Sequence, residues 1–420
     1  MDTAKDEGFA LKDLFSFKFL SIMTVSAFTV AGATTLGISH SIAESDKVIA
    51  GVQSEGIPIE GFSTERTKNF FTKSAREKIC PLTLKYENQE FKINPEEINL
   101  TPKIDEAVDQ AMSYGRGGTM MHNLKIQINC SVKGRDVKLA AVYDEELLNK
   151  KIDAIAAQIN RQPANAYVRL HSNGMIEKFP GVVGKKVDKE KIIESLKEPL
   201  LTLNIPKEIE IVPEDILPFV TTEDIAHIDS ILGSYSTNYY PGSRGDNIWI
   251  AANALTDKII KTGWEFSFNN TVGKRTYSAG YQNAGVIING KTAVDVGGGV
   301  CQVSSTLYNA VLLAGLTPTE RTPHYFKSAY VSPGRDATVA DELLDFKFRN
   351  DLPHNVYLKA FASGSTITVY VLGTHADLNG ANISIEREGS DMNPSIYRVY
   401  YVGGQVVKNE YLHTDSYHTS

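Results

Sequence analysis

The residues best suited to chemistry lie together in Gly297-Gly298-Gly299-Val300-Cys301-Gln302-Val303-Ser304-Ser305-Thr306. Three consecutive glycines ahead of a cysteine that opens a helix is a demanding arrangement. Glycine adopts backbone angles closed to other residues and lets a substrate approach the main chain. Free N–H groups at a helix start favour negative charge, which lowers a thiol's pKa and raises its thiolate fraction. The same groups can stabilise the oxyanion of an acyl-transfer intermediate. Cys301 therefore reads as a nucleophile, with the backbone at Gly298, Gly299, Val300 and Gln302 as its oxyanion site. A glycine-rich turn packed on a sheet, with Cys301 a small buried residue, fits the residues equally well.

A cysteine nucleophile needs a base. Ahead of the tail the candidate domain holds His227, His324 and His354. His324, in Arg321-Thr322-Pro323-His324-Tyr325, follows the Cys301 helix after a short connection and can return to the helix start. His354 sits in an Asp-Leu-Pro-His turn and reads as solvated, and His227 is far along the chain. A second dense stretch runs from Tyr330 to Val339, where Pro333-Gly334 makes a turn from which Arg335 and Asp336 project. Arg335 can bind a substrate carboxylate bidentately. Asp336 can orient His324 or reach the substrate; an Arg–Asp pair bracing the loop is the competing reading. Ser304, Ser305, Tyr308 and Tyr281 complete the candidate substrate contacts. No metal or cofactor is expected: one cysteine and scattered histidines give no zinc spacing, and three glycines without a following Lys-Ser/Thr make no phosphate loop.

These residues need elements to hold them. Val303, Leu307, Val311 and Ala314 fall on one helical face, ended by Gly315. Asp246 can cap a helix from Ile248 to Lys261, and residues 264–268, 344–348, 355–360 and 366–370 alternate as strands. Residues 221–373 therefore read as a β-rich α+β catalytic domain with its nucleophile at a helix N-terminus. Residues 374–420 read as a C-terminal β-hairpin tail, paired around Gly403-Gly404.

Upstream, 45–135 and 136–220 read as two small α+β units of one plan, an internal duplication. Ser63 or Thr64 caps a helix through Lys78, and Leu82–Tyr86 with Glu90–Ile93 form a hairpin. Leu147, Leu148, Ile152, Ile155 and Ile159 mark a helix over 144–160, and Asn173-Gly174 turns a second hairpin. Ile104-Asp105 and Val187-Asp188 each start a further helix. Neither unit carries a nucleophile with a base, so the pair is a spacer or a binder of glycan or peptide.

At 420 residues the chain should form two or three domains. A net charge of -7 without a Lys/Arg cluster excludes a nucleic-acid binder. Three cysteines leave at least one thiol unpaired, and Cys80 and Cys130 either pair or stay free. Residues 19–38, FLSIMTVSAFTVAGATTLGI, are uncharged and about as long as a bilayer crossing requires. With Lys5, Lys12 and Lys18 ahead of them, they predict a cytoplasmic tail and transmembrane anchor over 1–44 and an extracytoplasmic bulk. A cleavable signal peptide ending near Ser41-Ile42-Ala43 is the alternative.

Residues 263–373 closely resemble the VanW domain family. The resemblance rests on Phe266-Ser267-Phe268-Asn269, Val272-Gly273-Lys274-Arg275, Gly280-Tyr281, the run Gly297–Ala310, Pro323-His324 and Gly334-Arg335-Asp336-Ala337-Thr338-Val339. Residues 50–220 are similar, more loosely, to the peptidoglycan-binding domain found ahead of VanW, through strand and turn patterns and Tyr114-Gly115-Arg116-Gly117-Gly118. The resemblance implies a bacterial cell-wall protein with cysteine-dependent L,D-transpeptidase activity. Such an enzyme forms a thioester with the third residue of one stem peptide, releases the terminal D-alanine, and passes the acyl group to an amine on a neighbouring stem. It also implies Cys301 as nucleophile and His324 as base, with peptidoglycan stem peptides and glycan as partners and the cell membrane as anchor. Better-known L,D-transpeptidases carry an arginine after the motif cysteine; Gln302 stands there in this chain, so their fold and oxyanion assignments do not carry over. The alternatives are a non-catalytic wall-binding or assembly factor and an L,D-carboxypeptidase on the same site.

Overall fold

Apolar residues recur along the chain at the two periods of regular structure, and each stretch becomes the element its period favours. A computed structural model describes residues 32–288 and 291–419 as mixed α+β. Two compact units emerge. One takes the chain up to Arg161 together with Lys185–Glu214, and the other takes Gln162–Gly184 with the chain from Asp215 onward.

In the first unit, polar caps set the helix starts. The Ser63 hydroxyl accepts from the Arg66 N–H at the head of Thr64–Lys78, and Asp144 and Asp188 cap Glu145–Ile159 and Lys189–Thr202 in the same way. Leu148, Ile152 and Ile159 bury the predicted apolar face. Leu82–Tyr86 pairs antiparallel with Gln89–Ile93. The helix Met120–Lys133 carries no sequence signal of its kind because Met121, Ile128 and Val132 point to solvent. Its Cys130 is buried, and Cys80 and Cys130 are both free thiols.

The expected transmembrane anchor, and the single-pass membrane location drawn from it, are not upheld. Among the described residues no helix is long and apolar enough to cross a membrane. Residues 19–31 of the expected span lie outside the described residues. The described residues 32–44 are helical, and polarity returns along them with the exposed His40–Glu44 contact at 3.3 Å. The expected pair of upstream units also differs from the observed division. The hairpin of β1 (Tyr167–Leu170) and β2 (Ile176–Phe179) lies in the second unit, where Ala166 and Val168 pack on Tyr357 and Leu372.

The frame of the second unit is an antiparallel sheet in the order β3 (Ser230–Asn238), β11 (Thr366–Gly373), β10 (Val356–Ser363) and β4 (Lys258–Ile260). Helix α1 (Ser243–Leu255) and helix α2 (Val300–Leu313) share one hydrophobic core with this sheet, through Ile248, Leu255, Val303, Leu307, Val311, Leu358 and Val369. A Cβ at Gly233 of β3 would lie 2.4 Å from the Ala310 carbonyl oxygen, so glycine is what lets the strand lie directly on α2. Every residue of α2 from Gln302 to Leu312 is buried, on all sides rather than along one stripe. Gly315, at φ 78°, ends the helix as the sequence predicts.

Three smaller elements complete the unit. Strands β5 (Glu265–Ser267), β9 (Lys347–Arg349) and β8 (Thr317–Glu320) form a sheet, and β6 (Asn283–Ile288) pairs with β7 (Lys291–Val296). The C-terminal region is a meander of β12 (Asn382–Gly389), β13 (Pro394–Val402) and β14 (Gln405–Thr414), one strand more than the predicted hairpin.

Candidate active site

The glycine run turns the chain from β7 into α2. Gly297 and Gly299 take φ of 84° and 112°, in the left-handed region, and Gly299 is the N-cap residue. Gly298 is needed for space instead: a Cβ there would meet the Ala284 carbonyl oxygen at 2.7 Å and the Gly285 oxygen at 2.9 Å. Asn247 of α1, fully buried, ties the turn down by donating to the Gly298 and Gln282 carbonyls and accepting from the Gln282 N–H. Gly298→Ala is expected to cost about 1–3 kcal/mol of stability, because the clashing atoms are main chain. A thermal midpoint equal to that of the unchanged protein would show that the β6 backbone yields freely.

Cys301 sits in the first turn of α2, partly buried, with Sγ 3.3 Å from the Val339 carbonyl. Burial pushes its thiol up, but the hydrogen bond and charge of His324 outweigh burial and bring the Cys301 pKa below the ordinary thiol value of 9.0. His324 answers in kind. Burial works against its charge, while hydrogen bonds to Asp336 and Cys301 push the imidazole up to about 9. His324 Nδ1 lies 2.6 Å from Asp336 Oδ2, which also accepts from the His324 backbone N–H at 2.6 Å. Cys301, His324 and Asp336 thus lie in one contact series, the arrangement that nucleophile, base and orienting group require in acyl-transfer chemistry.

Asp336 is 1% exposed and cannot meet a substrate directly. Its carboxylate takes the Arg321 guanidinium at 3.2 Å and the Tyr417 hydroxyl, and these partners with His324 hold its pKa below the usual carboxylate range against burial. Arg321 also grips Asp415 with both terminal nitrogens, at 2.5 and 2.7 Å. Asp415 and Tyr417 come from the C-terminal segment, so residues beyond the predicted catalytic domain complete the support of the histidine. Nothing local in the sequence marks them, whereas Arg321 stands in the segment that contains His324.

The serines after the cysteine serve the same end. Ser304 Oγ donates to the Ala337 carbonyl at 2.6 Å, and Ser305 Oγ donates to the Cys301 carbonyl and accepts from the Ala337 N–H at 2.9 Å. Both are fully buried, so they pin the Asp336 segment to α2 and leave no hydroxyl for a substrate. Gln302 also turns away from the thiol, donating to Thr237 and the Asn238 carbonyl and accepting from Arg244. Its backbone N–H and that of Val300 are taken by the Gly299 and Gly297 carbonyls. Among the described residues, the N–H groups of Gly298, Gly299 and Cys301 make no backbone hydrogen bond.

Arg335 stacks 5.0 Å from the Tyr235 ring and exchanges hydrogen bonds with Asn309. Asn309 lies eight residues beyond Cys301 on α2, about 12 Å of helix rise, so Arg335 is held away from the thiol. Tyr308, one residue short of that, is buried against His413 at 2.8 Å. Tyr281 is equally buried, and its hydroxyl makes no hydrogen bond among the described residues. The phenol that does reach the site is Tyr330, 3.5 Å from His324 Nε2, with its pKa raised by burial and by the Cys301 thiolate. His354 is bound to Asp377 at 2.8 Å and packed on His227, apart from Cys301's partners. No group of three or more metal-ligating side chains occurs among the described residues.

Comparison with known proteins places this site in context. Residues 243–372, which hold Cys301, His324 and Asp336, match the family described as VanW like protein, and residues 91–207 match the family described as Putative peptidoglycan binding domain. The chain is 37% identical over 234 residues to the uncharacterized protein YoaR of Bacillus subtilis (strain 168), covering 54% of this chain and 76% of that one. It is 31% identical over 147 residues to the vancomycin B-type resistance protein VanW of Enterococcus faecalis (strain ATCC 700802 / V583), covering 33% of this chain and 52% of that one. No solved structure matches. The extent of the YoaR match and the family match over 243–372 make this chain a member of the VanW-like family, with a region similar to the Putative peptidoglycan binding domain ahead of the domain that carries Cys301.

Proposed function

We propose that the chain is a peptidoglycan L,D-transpeptidase working through a thioester on Cys301. The observation that carries the reading is the contact series from Cys301 through His324 to Asp336, with the thiol lowered and the imidazole raised. A thiolate–imidazolium pair is what acyl transfer to sulfur needs at neutral pH. The peptidoglycan-binding match over 91–207 supports the substrate class.

In the proposed reaction His324 holds the thiol proton, and Cys301 Sγ attacks the carbonyl of the third stem residue. The N–H groups of Cys301, Gly298 and Gly299 face the developing oxyanion. The C–N bond to the terminal amino acid breaks, and its nitrogen takes the proton from His324. An amine of a second stem then attacks the thioester, gives its proton to His324, and restores the thiolate as the new amide forms.

The full chain incubated with disaccharide-tetrapeptide should yield a dimer lacking one terminal amino acid, detected by mass. An unchanged substrate would overturn the enzymatic reading. Monomer shortened by one residue, without dimer, would mean that water takes the place of the acceptor amine and that the protein is an L,D-carboxypeptidase.

A further inference from the structure

We propose that Arg244 is a carboxylate-binding residue of the acyl-donor site, taking the α-carboxylate of the amino acid that departs when Cys301 is acylated. The inference rests on the acyl-transfer reading above. Three observations carry it.

Arg244 lies directly against the nucleophile turn. A Cβ built at Gly299 would sit 3.0 Å from Arg244 Cγ and 3.1 Å from its carbonyl oxygen. Among the described residues the guanidinium is held by neutral acceptors, the Gln302 side-chain oxygen at 3.2 Å and the Gly285 carbonyl at 3.3 Å. Its charge is also felt at the Tyr330 phenol, the group that senses the Cys301 thiolate.

Arg244 has no acidic partner among the described residues, and in this it differs from Arg275 and Arg321. Arg275 is committed to Asp341, and Arg321 to Asp336 and Asp415. Arg335 also lacks an acid, but it is held on Tyr235 and Asn309 along α2. Arg244 is partly exposed, and its two recorded bonds leave other donors of the fork unused. A planar, permanently charged fork with open donors beside a nucleophile suits a carboxylate.

The chemistry supplies that carboxylate. The bond broken in acylation joins the third stem residue to a terminal amino acid, whose α-carboxylate stands one carbon beyond the scissile nitrogen. Held by Arg244, it aligns the scissile carbonyl over Sγ. It leaves with the released amino acid, so the acceptor amine meets an emptied subsite.

The test uses the full chain carrying Cys301→Ala, which binds without turnover. Calorimetry would compare disaccharide-tetrapeptide with the same compound ending in a carboxamide. The free acid should bind about 10- to 100-fold more tightly, and the ratio should fall toward one when Arg244→Gln is added. Arg244→Lys should retain part of the preference. Equal affinity for acid and amide, a preference that survives Arg244→Gln, or no binding of either compound would overturn the proposal. Should Arg244→Gln lower the thermal midpoint sharply, the acid-to-amide ratio in Cys301→Ala alone and with Arg244→Lys decides. Failure of the acyl-transfer reading is distinct: an acid preference that depends on Arg244, together with no product from the chain with Cys301 intact, would leave a carboxylate-peptide binder.

Discussion

Cys301→Ala is expected to abolish formation of cross-linked product while the protein keeps its fold. The loss should be on the order of a million-fold, as for removal of a covalent nucleophile that works as a unit with its base. The structural argument for an intact fold is that the Cys301 side chain bonds to the Val339 carbonyl and to His324, whereas its main-chain carbonyl holds both Ser304 and Ser305. Alanine keeps that carbonyl, and with it the seam between α2 and the Asp336 segment. Cys301→Ser should be nearly as inactive, because a hydroxyl beside the same imidazole ionises far less than a thiol. Intact-mass measurement with tetrapeptide substrate should show an acyl adduct on the unchanged protein and none on the alanine variant. At neutral pH, iodoacetamide should label Cys301 well before Cys130, whose thiol is pushed up by burial. Full cross-linking by Cys301→Ala would remove the nucleophile assignment, and labelling of both thiols at one slow rate would remove the activated thiolate.

The parts of the site that could be read from sequence are those in which residue type and local spacing carry the chemistry. Three glycines before a cysteine demand left-handed backbone and close approach, and the structure uses Gly297 and Gly299 for the first and Gly298 for the second. The caps at Ser63, Asp144 and Asp188 and the helix-ending Gly315 are local in the same sense. What could not be read depends on contacts between distant segments. Asp415 and Tyr417 meet Arg321 and Asp336 only once the C-terminal meander is folded. The turn at Pro333-Gly334 is legible, but the direction of Arg335 is set by Tyr235 and Asn309 from two other elements. Arg244 lies outside every quoted motif, and its closeness to Gly299 follows from the packing of α1 on α2. The hydrophobic run near the N-terminus shows the opposite error. Apolar length with lysines ahead of it led to a membrane span, and the described part of that segment continues into a polar helix with a His40–Glu44 contact.

His324→Ala should lower turnover by about two to four orders of magnitude, the range for a lost general acid–base group, and Asp336→Asn should approach the same loss. On the proposed reading Asp336 is a positioning residue: it bonds to both the ring and the backbone N–H of His324 and is itself buried. In Asp336→Asn the Arg321 guanidinium keeps Asp415, so a second carboxylate still neutralises the buried charge and the fold should persist. The pH profile separates an effect on His324 from general damage. Activity needs the thiolate, lost as pH falls through the depressed Cys301 value, and the imidazolium, lost as pH rises through about 9. The profile is therefore a bell whose limbs belong to the coupled pair. Asp336 is among the groups that raise the imidazole, so Asp336→Asn should move the alkaline limb to lower pH. The imidazole's contribution to stability has the matching sign. Because its folded value is raised, that contribution is complete below the ordinary value of 6.5 and is lost as pH rises through about 9. A loss confined to KM in His324→Ala, with the alkaline limb unmoved, would make His324 a binding residue. Tyr330, half-buried 3.5 Å from the ring with a phenol that senses the thiolate, would then be the base to test, since Tyr281 and Tyr308 are enclosed elsewhere.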